Sequence, residues 1–117
     1  MKGTPPKSRA PYRGEAVWLD FEPHAGHEQG GRRPAVVLSA IRYNGKVGLA
    51  LMCPVTSQGK GYPWEVPLPA GLPISGVVLA DQARSVDWRS RRAELIGHLP
   101  PGVIESIVEK VQALIEP

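Results

Sequence analysis

With one cysteine, Cys53, in 117 residues, the chain has no intrachain disulfide and no metal site built from several thiolates. A reducing compartment fits, and the cytoplasm is the expected location. No apolar run approaches a membrane span. The opening segment MKGTPPKSRAPYRG carries positive charge with no apolar stretch behind it, so it reads as neither a secretory signal nor an anchor. Nucleotide hydrolysis is not indicated: in SQGKGYP, Pro54 stands where a P-loop needs its first glycine and Gly61 where it needs Ser or Thr. No G-x-S-x-G elbow offers an acyl nucleophile.

Turn chemistry, by contrast, is abundant. Thirteen glycines and thirteen prolines accompany a hydrophobic content of 42% and a charged content of 21%, which describes one mostly β domain of short strands. The net charge of +3 suggests a polyanionic partner until it is located. Lys2, Lys7, Arg9 and Arg13 supply four bases and no acid, leaving ten bases against eleven acids in the rest. The run Trp88-Arg89-Ser90-Arg91-Arg92 is the densest remaining basic segment, and on composition alone a solvated turn is the better account of it.

Residues 1–13 form the expected flexible basic arm, since so polar a Pro-rich segment cannot bury enough apolar surface to offset its ordering entropy. Residues 14–117 form the expected domain. EAVWLDF and PAVVLSAI read as strands. The Asn44-Gly45 pair predicts a hairpin turn leading into a strand with Val47, Leu49, Leu51 and Cys53 on one face. WEVPL reads as a short edge strand, VVLADQARSVDW as one longer strand and AELIGHL as the last. The tail then changes period: Ile104, Ile107, Val108, Val111, Leu114 and Ile115 recur at helical spacing, with Pro101 in the first turn. A small β-barrel or strongly bent sheet capped by that helix is expected. Trp18 and Trp88 are expected to fill its core, and His98 reads as a structural histidine.

The segment GHEQGGRRP, directly before the apolar AVVLS, concentrates polar chemistry. Two glycines separate Glu28 from Arg33 and let carboxylate and guanidinium meet. A surface salt bridge worth under about 1 kcal/mol is the simple reading. The other takes Glu28 as a proton acceptor and Arg33 as a clamp on a phosphate gaining charge in its transition state. His24, His27 and Glu28 could ligate a metal, but they lack the fixed spacing of a helical site; surface histidines are expected, and no metal.

The order of four motifs, VWLDFEP, EQGGRRPAVVLS, CPVTSQGKGYPWEV and GVVLADQARSVDW, followed by an amphipathic helix, resembles the MazF/PemK toxins of bacterial toxin–antitoxin systems over about residues 14–116. The resemblance implies a small SH3-like antiparallel β-barrel with a C-terminal α-helix. It also implies a homodimer acting as a metal-independent, cofactor-free endoribonuclease on single-stranded mRNA at short sequences, leaving 2′,3′-cyclic phosphate and 5′-hydroxyl ends. The family's catalytic positions fall on Glu28, Arg33 and Thr56. An acidic MazE-like antitoxin is the implied partner, with DNA bound only through the toxin–antitoxin complex. The duplicated Arg32 and PLPAGLPIS depart from the family pattern. Gln29, Arg32, Ser57, Lys60, Tyr62, Trp64 and Arg84 are the expected RNA contacts, since single strands are read by stacking and base-edge hydrogen bonds. The rival reading is a non-catalytic toxin similar to CcdB that poisons DNA gyrase with the same fold.

Overall fold

The computed structural model describes residues 9–20 and 31–117. Among these residues seven strands occur in the order β1 (Glu15–Asp20), β2 (Arg32–Val37), β3 (Leu49–Thr56), β4 (Glu65–Pro67), β5 (Val77–Leu79), β6 (Arg84–Asp87) and β7 (Glu94–His98). Helix α1 (Ile41–Val47) lies between β2 and β3, and α2 (Pro101–Ile115) ends the chain. All strand pairs are antiparallel. The sheet runs β4-β5-β3-β2-β1-β7, with β6 also paired to β3. Among the described residues β4 and β7, at the two ends, do not pair, so the barrel-like sheet is not closed. No described helix is long and apolar enough to cross a membrane.

Apolar residues occur in adjacent pairs along the central strands because both sheet faces are covered. Val17, Leu19, Ala35, Val37, Ala50, Met52 and Val86 pack around Trp88 on one face. Ala16, Val36, Cys53, Val55 and Val78 pack on the other against Ile104 and Ile107 of α2. Burial here pushes the Cys53 thiol up to about 12, so it behaves as a small apolar residue. Pro101 occupies the first turn of α2, as its spacing predicts. The apolar stripe outruns the sheet: Leu114 and Ile115 are exposed.

Three expectations fail. Asn44-Gly45 forms no hairpin but lies inside α1, and Val47 belongs to that helix and not to β3. The side chain of Asn44 is fully buried: its amide donates to the carbonyls of Pro11 (2.9 Å) and Ser39 (3.0 Å), while its oxygen accepts from the Ser39 hydroxyl (2.6 Å). The left-handed residue that ends the helix is Gly48, at φ 84°. VVLADQARSVDW is likewise two strands, not one. Six residues separate Val78 from Arg84, but only three separate their partners on β3, Val55 and Met52. The surplus forms a 3₁₀ turn, Ala80–Gln82, whose buried Ala80 donates its N–H to the Trp64 carbonyl. Finally, Trp18 is 39% exposed on β1, opposite Pro34, while Trp88 fills the core and donates its indole N–H to the Asn44 carbonyl.

The segment around Arg9–Arg13 lies against the body. Glu15 is 1% exposed, and its carboxylate accepts from Arg9 (2.9 Å) and from the Tyr12 N–H (3.0 Å). His98 is largely exposed, with Nε2 3.2 Å from the same carboxylate.

Candidate active site

The pleat of β2 separates its two arginines. Arg32 stands directly opposite Asp20 on β1 and donates to it at 2.7 Å. Its other nitrogen donates to the Glu94 carboxylate (3.1 Å) and the Arg92 carbonyl (3.0 Å). The Asp20 carboxyl lies below its ordinary range because Arg92, at 2.7 Å, and then Arg32 donate to it. Arg32, expected on RNA, is thus engaged in holding β2 to β1 and the Arg92 turn.

Arg33 pairs instead with Leu19, on the side of the sheet that carries Ala35 and Val37. It is exposed. The β2–β3 register sets Ala35 opposite Pro54, and by strand alternation Arg33 lies on the same face as Ala35 and Thr56 on the same face as Pro54. Arg84 shares this side, where it lines a small recess with Leu19, Ala35 and Pro54. Arg33, Thr56 and Arg84, far apart in sequence, therefore lie on one sheet face.

Beside them is an open cleft of about 290 Å³, in which Thr56, Lys60 and Tyr62 face the 3₁₀ turn residues Asp81 and Gln82. Gln58, Glu65 and Leu79 complete the lining. Thr56 Oγ1 accepts from the Gln58 N–H at 3.1 Å, which orients the hydroxyl at the cleft edge. Tyr62 is 55% exposed, its ring available for stacking. Ser57 is exposed next to Thr56. Trp64 stands back from the cleft, with the ammonium of Lys110 5.9 Å from its ring centre. Gln58, Glu65, Asp81 and Gln82 were not expected from sequence. The last two lay hidden in an apparently continuous strand, and the register surplus on β3 is what displays them.

Glu28, Gln29, His24 and His27 lie outside the described residues. Among the described residues no group of three His, Cys, Asp or Glu side chains could hold a metal ion.

A family model for the PemK-like, MazF-like toxin of type II toxin–antitoxin systems matches residues 12–115. The chain belongs to this toxin family. It is 48% identical over 105 residues to the endoribonuclease toxin MazF of Escherichia coli K12, covering 90% of this chain and 94% of that one. It is 36% identical to the endoribonuclease toxin ChpB of the same strain, covering 89% and 93%. Among solved structures it resembles MazF from Deinococcus radiodurans, with 58% identity, a TM-score of 0.82 and coverage of 91% and 96%. A MazE–MazF crystal structure from that organism matches with 53% identity, a TM-score of 0.81 and coverage of 91% and 95%. The toxin's open, barrel-like sheet and terminal helix thus have a close counterpart among solved MazF structures.

Proposed function

We propose that this MazF-type endoribonuclease toxin cuts single-stranded mRNA at short sequences, using the ribose 2′-hydroxyl of the substrate as nucleophile and no metal ion. The observation that supports the reading is the cleft lined by Thr56, Lys60 and Tyr62 next to the sheet face on which Arg33 is exposed. Glu28 accepts the 2′-hydroxyl proton, and the 2′-oxygen bonds to phosphorus. Arg33 neutralises the charge that builds on the phosphoryl oxygens, and Thr56 donates a hydrogen bond to one of them. The P–O5′ bond breaks and the 5′-oxygen takes a proton from water, giving a 2′,3′-cyclic phosphate and a 5′-hydroxyl. Bases next to the cut enter the cleft, where Tyr62 stacks and Gln58, Asp81 and Gln82 offer donors and acceptors to base edges.

The MazE–MazF structures support an antitoxin partner; on our reading it lays an acidic extended segment in the same cleft, its carboxylates standing in for phosphates beside Lys60. Two copies of the toxin pair so that loops of both surround the RNA. A stable monomer at micromolar concentration in light scattering would count against that pairing.

The deciding assay incubates a mixed-sequence fluorescent RNA with the protein in EDTA, beside a gyrase supercoiling reaction. Cleavage is expected to persist in EDTA and to disappear when a single 2′-deoxy residue replaces the ribose at the cut, with binding retained. Glu28→Gln is expected to slow cleavage by about 10²- to 10⁴-fold, and Arg33→Ala by at least as much. Intact RNA with inhibited gyrase would favour a CcdB-like poison. Cleavage that stops in EDTA would point to a metal held by His24, His27 and Glu28.

A further inference from the structure

The cleft proposed to receive RNA contains carboxylates, and one of them is committed to the backbone. Glu65, the first residue of β4, turns its side chain back into the loop that precedes it. Its two oxygens accept from the Lys60 N–H at 3.1 and 2.9 Å, and one of them also accepts from the Gly61 N–H at 2.9 Å. Consecutive backbone N–H groups aimed at one anion form a nest, here occupied by the protein's own side chain. Gly61 makes this possible by adopting φ 82°, which an L side chain resists. Gly59 allows the loop to lie close to Val77: a Cβ there would stand 3.0 Å from the valine side chain and 3.2 Å from the Glu65 carboxylate. Behind the loop, the ammonium of Lys110 on α2 donates to the Pro63 carbonyl and lies over the Trp64 ring.

We infer that Glu65 is a positioning residue for RNA binding: its carboxylate clasps the Lys60–Gly61 backbone and presets the loop that presents Lys60 and Tyr62 to the substrate. The inference rests on the proposed ribonuclease reading. Its physical basis is a conflict of charge. A free carboxylate lining a phosphate-binding cleft repels the substrate, so its removal should tighten binding. A carboxylate holding an exposed, glycine-containing loop reduces the entropy lost when RNA orders that loop, so its removal should weaken binding. The three contacts at 3.1 Å or less to two amides assign Glu65 to the second case. Lys110 braces the same loop from the helix side, so the C-terminal helix contributes to the binding surface without lining the cleft.

Two substitutions separate the alternatives. Glu65→Gln removes the charge and replaces one of the two accepting oxygens by a donor, which weakens the clasp, whereas Gly61→Ala keeps the charge and strains the clasped backbone. Both are expected to raise KM for single-stranded RNA by about tenfold, the equivalent of one or two charge-assisted hydrogen bonds, with kcat little changed. Glu65→Asp, which keeps the charge but shortens the reach, should fall between wild type and Glu65→Gln. Hydrogen exchange at the Lys60 and Gly61 amides should speed up in both principal variants, while exchange in β3 and the melting temperature stay near wild type. A lower KM in Glu65→Gln, or unchanged amide exchange in that variant, overturns the inference. If the wild-type protein cuts no RNA, the ribonuclease reading fails by itself, and amide exchange still reports whether the clasp exists.

Discussion

Strand pleating sends the adjacent guanidinium groups of Arg32 and Arg33 to opposite faces of β2. Sequence spacing treats the two as one cationic site. The register does not: Arg32 faces Asp20, and Arg33, opposite Leu19, lies on the other face with Ala35. The lowered Asp20 carboxyl gives this division a pH signature. Because its folded value lies below the unfolded one, ordinarily near about 4, its stabilising contribution is present above that value and is lost as the pH falls through the lower folded value. Asp20→Asn is therefore expected to cost at most about 1 kcal/mol at neutral pH, as surface ion pairs do. The difference from wild type should shrink toward zero in acid. Urea unfolding at pH 7 and at pH 2 to 3 checks this, and a constant difference across the range would refute it.

At the scale of elements, α1 and the 3₁₀ turn show tertiary contacts overriding local turn signals. Asn-Gly favours a hairpin when both residues can take positive φ, but Asn44 is worth more to this chain as a buried linker. It joins Pro11, Ser39 and, through its own carbonyl, Trp88. Asn44→Ala leaves the carbonyls of Pro11 and Ser39 without the amide that served them, and is expected to cost about 2–4 kcal/mol. Equilibrium urea denaturation measures it; a loss below about 1 kcal/mol would mean that those carbonyls find other partners. A second element-level constraint bears on the site. Gly76 adopts φ 117°, and a Cβ there would meet the Thr56 carbonyl oxygen at 2.2 Å. Gly76→Ala is thus expected to displace Thr56 as well as strain the backbone. Its cleavage rate should fall further than that of Gly71→Ala, which has the same sign of φ, 90°, but open space around the Cβ.

Across the whole molecule, the basic N-terminal segment meets the body at Glu15, a buried carboxylate served by Arg9, Tyr12 and His98. Two truncations should therefore behave differently. Removing residues 1–8 leaves Arg9 and Tyr12, described partners of Glu15, in place and is expected to lower RNA affinity uniformly across sequences, with a shallower salt dependence from the lost Lys2 and Lys7. Removing residues 1–13 also strips Arg9 and the Tyr12 N–H from the buried carboxylate, and is expected to lower the melting temperature by several degrees. Equal melting temperatures for the two truncations would contradict the anchoring role of Glu15.

The family, the mostly β class, the edge position of WEVPL and the extent of α2 were all legible in the chain itself, because each rests on short-range chemistry. Apolar periodicity, proline at a helix start and the order of four motifs need no knowledge of what packs on what. Arg33 and Thr56 could be named from the motifs, but the sheet face they share depends on a β2–β3 pairing that no single segment encodes. The fates of Asn44, Trp18, Arg32, Asp81 and Gln82 were decided by tertiary structure alone. Each depends on which face of a strand is covered, or on how many residues two strands must span while pairing with the same partner. Such quantities are shared between distant segments, and they acquire values only when the sheet has formed.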